Sequence, residues 1–99
     1  MLTTKQKVYL RSLAQKIKPV CQIGKEGLSE NLMETVLAYL KKHELMKVSI
    51  LQNSYVTFDE AKEFFEQEGI EFIQAIGRQM VLYKENKELE DSIKLPVKK

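Results

Sequence analysis

The chain has 99 residues, 43% of them hydrophobic, enough for one buried core and too few for two. Lys and Arg number 16 against 14 Asp and Glu, a formal charge of +2 that excludes both a histone-like polycation and an acidic disordered chain. One cysteine, Cys21, and one histidine, His43, exclude an intramolecular disulfide and a four-ligand zinc site, and predict a reduced, cytoplasmic setting with no metal or other cofactor.

Leu2, Tyr9, Leu10, Leu13 and Ile17 recur at helical spacing, so an amphipathic helix is predicted over 3–17, capped by Thr3 or Thr4 and stopped by Pro19. PVCQI (19–23) is short and β-prone, and it runs into Gly24-Lys25-Glu26-Gly27, which reads as a sharp loop. Ser29 caps a second helix that carries Leu32, Met33, Val36, Leu37 and Leu40 and ends near His43; Leu28 before the cap can staple onto Met33. Met46, Val48 and Ile50 alternate with Lys47 and Ser49 as in a half-buried strand. Thr57-Phe58-Asp59-Glu60 spells a capping box for a third helix with Ala61, Phe64 and Phe65 inward and Gly69 at its C-terminal end. Ile70 to Ile76 and Met80 to Lys84 flank Gly77-Arg78-Gln79 and read as a final hairpin.

The order helix, strand, helix, strand, helix, strand, strand predicts a single α/β domain over 1–84 with a mixed four-stranded sheet, whose strand order the sequence leaves open. Residues 85–99, ENKELEDSIKLPVKK, read as a charged tail loosely docked through Leu89, Ile93 and Leu95. The N-terminal MLTTKQKVYL lacks the apolar run of a signal peptide, and no stretch approaches the ~20 apolar residues needed to span a bilayer, so no membrane partner is expected.

Charge is unevenly distributed. Up to Lys25 the chain carries Lys5, Lys7, Arg11, Lys16, Lys18 and Lys25 and no acid, a segment of +6, whereas Asp59 to Ile76 carries six acids against Lys62 alone. On a helical wheel Lys7 and Arg11 line one flank of the first helix and Lys5 and Lys16 the other, with Tyr9, Leu10, Leu13 and Ile17 toward the core. A merely solvated helix face usually mixes both signs, because opposite charges three or four residues apart stabilise it. A face without any acid points instead to a polyanion. Gly24 and Gly27 let a nucleic-acid backbone approach the main chain, the first amides of the following helix are unpaired donors, and Lys25 adds a point charge. Glu26 opposes this, since a carboxylate in the loop repels phosphate.

Arg78 and Lys84 frame the hairpin, and Arg78 is placed for a second phosphate contact or for stacking on a base. Most aromatics belong to apolar faces and read as core; Tyr55, near a turn, stays open. Cys21 reads as a small buried hydrophobe and His43 as a partner of a helix C-terminus. No nucleophile motif or nucleotide fingerprint is present, so an enzyme is not expected.

Leu2-Thr3-x-x-Gln6, Lys18-Pro19-Val20, Ile23-Gly24-x-x-Gly27-Leu28, His43-Glu44-Leu45-x-Lys47-Val48, Ile76-Gly77-Arg78 with Val81-Leu82-Tyr83, and finally IKLP together resemble a CRM domain (chloroplast RNA splicing and ribosome maturation) in its small stand-alone bacterial YhbY-like form, over nearly the whole chain. That resemblance implies a fold similar to the C-terminal domain of a translation initiation factor, a GxxG loop like that of KH domains, RNA binding, and association with precursors of the large ribosomal subunit. By motif, Gly24, Lys25, Glu26 and Gly27 would form the RNA loop, with Arg78 at the basic position of the hairpin.

The expected protein is a monomeric, non-catalytic RNA-binding module whose first-helix cations Lys5, Lys7 and Arg11, with Lys18, the glycine loop, Arg78 and Lys84, form one positive face. The alternative is an adaptor that docks on ribosomal proteins through its acidic third helix.

Overall fold

The computed structural model describes residues 3–86, and the seven expected elements form within them: α1 (Thr4–Ala14), β1 (Cys21–Ile23), α2 (Glu30–His43), β2 (Leu45–Ile50), α3 (Phe58–Glu66), β3 (Glu71–Ile76) and β4 (Gln79–Tyr83). Each helix starts where its capping residue dictates. Thr3 accepts a hydrogen bond from the Gln6 amide while its own amide donates to Gln6 Oε1, Ser29 Oγ accepts from the Leu32 amide, and Thr57 with Glu60 repeats the reciprocal box.

The strands assemble in the order β1-β2-β4-β3, with β1 parallel to β2 and the other neighbours antiparallel. Two cores result because successive strand residues face opposite sides. Met46, Val48, Ile50, Met80 and Leu82 form one with Val36 and Leu40 of α2 and Ala61 and Phe65 of α3. Leu45, Ile73, Val81 and Tyr83 form the other with Leu10 and Ala14 of α1. Thus α1 covers one face of the sheet and α2 and α3 the opposite face. Each Val, Leu, Ile, Met or Phe among them withdrawn from water stabilises the fold by roughly 1.5–3 kcal/mol before ordering costs, and the alanines by less. Ile73 faces α1 by alternation from Phe72, and a bulge there makes Gln74, not Ile73, the partner of Val81, so Gln74 stays on the α1 face as well. Gly77 closes the hairpin at φ 61 while Arg78 keeps a negative φ, the pattern of a type II′ turn.

Two details depart from the sequence reading. Helix α1 ends at Ala14, not near Ile17: Lys16 and Ile17 donate to Leu13 and Ala14 in tighter turns, as Pro19 ahead forces the chain to leave the helix. Tyr9 is 37% exposed rather than in the core, because it sits about 100° around the helix from Leu10, at the margin of the apolar stripe.

At the C-terminal end of α2, Glu44 is fully buried with a left-handed backbone, φ 63. Its amide donates to the Leu40 carbonyl, its carbonyl accepts from the Lys84 amide, and its carboxylate accepts from the Asn86 amide at 2.7 Å. Asn86 Nδ2 also donates to the Lys41 carbonyl, which fastens the chain leaving β4 to the end of α2. Leu89, Ile93 and Leu95, expected to dock the tail, lie outside the described residues.

Candidate nucleic-acid interface

β1 is an edge strand, and the chain leaving it turns at once into α2. The Gly27 amide donates to the Gly24 carbonyl at 3.0 Å, which makes Gly24 to Gly27 a four-residue turn with Lys25 and Glu26, both exposed, at its corners. Gly27 holds φ 69, a conformation that L side chains resist; Gly24 has no such requirement, and a Cβ there would lie 3.6 Å from Leu51 Cδ1. The capping by Ser29 leaves the amides of Glu30 and Asn31 without partners inside the helix, at its positive end.

Beside the turn, β1 and α2 enclose an open groove of about 490 Å³ whose walls include Cys21, Gln22, Lys25, Asn31 and Thr35. Thr35 Oγ1 donates to the Asn31 carbonyl, fixing that wall. Burial pushes the Cys21 thiol up, more than a hydrogen bond at the Gln22 backbone lowers it, so the sulfur is a neutral, half-buried part of the groove.

Two further segments meet the turn. The Leu51 amide donates to the Ile23 carbonyl and the Ile50 amide to the Arg78 carbonyl, while Arg78 Nη1 makes a long 3.5 Å contact with the Leu51 carbonyl. The glycine turn, residues 51–57 and the hairpin turn with Arg78 therefore share one end of the sheet. Val56 joins them, with Cγ2 3.4 Å from where a Gly27 Cβ would stand.

The other basic residues lie elsewhere, so the single positive face expected from the sequence divides. Lys5, Lys7 and Arg11 belong to α1, on the sheet face opposite α2. The C-terminal part of α1 reaches Gln79 and Ile76 through Ala14 and Gln15, which puts Lys7 roughly 12 Å back along the helix axis at 1.5 Å per residue. Lys18 is exposed on the link from α1 to β1. Lys84 follows Tyr83, at the opposite end of β4 from Arg78, and its ammonium donates at 2.9 Å to the Glu68 carbonyl beyond the end of α3. Lys25 and Arg78 are opposed at their end by Glu26 and Glu30. Main-chain donors and groove shape, more than net charge, thus distinguish this site. The split was invisible in the sequence because it depends on which sheet face each helix covers.

His43 is exposed in the last turn of α2 beside Lys41 and Lys42, stacked on Tyr39 with ring centroids 4.3 Å apart. The acids of α3, namely Asp59, Glu60, Glu63 and Glu66, are all exposed. No helix among the described residues is long and apolar enough to cross a membrane.

A family model, the CRS1 / YhbY (CRM) domain, matches residues 2–84. The chain is 41% identical over 97 residues to a Bacillus subtilis protein named "Probable RNA-binding protein YqeI", covering 97% of this chain and 100% of that one. It is 32% identical over 107 residues to a Haemophilus influenzae protein named "RNA-binding protein", covering 98% and 97% of the two. The solution structure of SAV1595 from Staphylococcus aureus has the same fold, with a TM-score of 0.73 and 46% identity over 97% of this chain and 100% of that one.

Proposed function

The chain belongs to the CRS1 / YhbY (CRM) domain family, and from that premise we propose that it is an RNA-binding module that acts without a chemical step. The reading rests on one observation above all: the exposed glycine turn, the groove beside it and Arg78 share one end of the sheet. A phosphate can approach Gly24 closely and meet the amides that open α2, with Lys25 as a mobile cation. The names of the relatives support RNA as the ligand. Ribosomal RNA in precursors of the large subunit is the target we infer, with assistance to ribosome assembly in the cytoplasm as the role; the family resemblance of the quoted motifs supports both.

Lys25→Glu tests the site. It should weaken RNA binding in a fluorescence-anisotropy titration while the thermal melt stays unchanged, because the side chain is exposed at a turn corner. Equal loss of affinity and stability would make the loop structural instead. Crosslinking in cells followed by sequencing of the bound RNA tests the ribosomal target.

A second reading has the exposed acids of α3 in its favour: an adaptor that docks on basic ribosomal proteins. Pull-down with and without RNase separates the two. Ribosomal proteins lost on digestion support the RNA reading, and proteins retained support the adaptor.

A further inference from the structure

Tyr55 is 96% exposed, an unusual state for a side chain with so much apolar surface. It does not hang from a slack loop. On one side the Ser54 amide donates to the Leu51 carbonyl at 3.0 Å; on the other the Val56 amide donates to Ser54 Oγ at 3.3 Å, and Val56 itself packs against the larger core beside Gly27. The backbone around Tyr55 is fastened on both sides, and the ring stands in solvent on a segment that meets the glycine turn through Val56.

We propose that Tyr55 is a stacking platform for an unpaired base, so that the RNA engaged at this end of the protein is single-stranded. This rests on the RNA-binding reading above and deepens it. A base can stack on an aromatic ring only when it has left its neighbours, whereas a phosphate contact is available on paired and unpaired strands alike. The turn from Gly24 to Gly27 supplies the backbone contact and the residue adjoining Val56 supplies the ring, so both contacts fall on adjacent stretches of one strand. Gln52 and Asn53, exposed on the same loop, offer amide donors and acceptors to base edges. The surroundings favour a base over a protein partner. An aromatic anchor at a protein interface is normally ringed by apolar groups that exclude water; among the exposed residues of this segment Gln52, Asn53 and Thr57 are polar, and besides Tyr55 only Leu51, 36% exposed, is apolar.

The test compares the intact protein with Tyr55→Ala, Tyr55→Phe, Tyr55→Leu and Lys25→Glu, by anisotropy, on an unstructured single-stranded oligoribonucleotide and on the same sequence fully paired. Tyr55→Ala should weaken single-strand binding roughly 5- to 150-fold. It should leave duplex binding and the thermal melt unchanged, since the ring is almost wholly in solvent. Phe should restore single-strand affinity and Leu should not, because the aromatic face is what is used. Lys25→Glu should weaken both ligands. Single-strand affinity unchanged in Tyr55→Ala, or restored by Leu, overturns the platform while the RNA reading stands. In the pull-down, loss of captured ribosomal protein by Tyr55→Ala without loss of RNA affinity also overturns it and assigns Tyr55 to a protein contact. Failure of the intact protein to bind either RNA removes the parent reading and this inference together.

Discussion

The separation of the cations into different surfaces has a measurable consequence in the salt dependence of RNA binding. Each phosphate neutralised on a single strand adds about −0.7 to the slope of log affinity against log salt. If Lys25 and Arg78 are the cations engaged, the slope is about −1.4, and raising salt from about 50 to about 200 mM weakens binding ~7-fold. If Lys5, Lys7, Arg11 and Lys18 joined them, the slope would be about −4.2 and the loss ~340-fold. Anisotropy titrations at four or more salt concentrations distinguish these outcomes. Lys25→Ala and Arg78→Ala should each remove about 0.7 from the slope, whereas Lys7→Ala with Arg11→Ala should leave it in place. Lys84→Ala should also leave it in place, because that ammonium is engaged with the Glu68 carbonyl. A slope near about −4, or one that neither Lys25→Ala nor Arg78→Ala changes, would refute the assignment of the site to one end of the sheet.

The two loop glycines should respond differently to alanine. Gly27→Ala forces a Cβ into a left-handed position 3.4 Å from Val56, and urea denaturation should register a loss of about 1–2 kcal/mol. Gly24→Ala meets only ordinary contact with Leu51, so stability should move by less than about 0.5 kcal/mol while RNA affinity falls; the reverse ranking would contradict the roles given to them. Tyr83 is a separate case, with a buried hydroxyl that has no hydrogen-bond partner among the described residues. Burial first, then the carboxylates of Glu44, Glu85 and Glu71, push its pKa up to about 12. The folded form holds its proton after the unfolded chain has lost it near 10, so this tyrosine's contribution to stability is complete below about pH 10 and falls by at most about 2–3 kcal/mol toward pH 12. Tyr83→Phe should flatten that alkaline decline and, at neutral pH, match the parent or exceed it by up to about 1–3 kcal/mol. A Phe variant clearly less stable at neutral pH would disprove the unpaired hydroxyl.

The elements were legible because their signals are local. Thr3, Ser29 and Thr57 each announce a helix start, Gly69 at φ 78 stands just past the end of α3, and Gly77 marks the hairpin. The family was legible from its motifs, and the matching family model over residues 2–84 bears it out. Strand order and the face chosen by α1 were not legible, because they follow from pairings such as Cys21 with Val48 that link distant parts of the chain. The glycine turn could be found from spacing alone, but its proximity to Arg78 passes through Leu51, a residue with no distinguishing chemistry. Glu44 gave no local warning either: neither a buried carboxylate nor a left-handed glutamate follows from helix periodicity.

The sheet order also governs when this protein can be built. β4, the last strand among the described residues, lies between β2 and β3, and Val81 and Tyr83 complete the core beneath α1. A nascent chain that has not yet released residue 83 from the ribosome lacks the strand joining its two halves, so β2 and β3 have no partner between them and α1 has only part of its seat. The sheet therefore closes only after β4 has emerged, and a truncation before Gln79 should yield an unfolded fragment rather than a smaller domain.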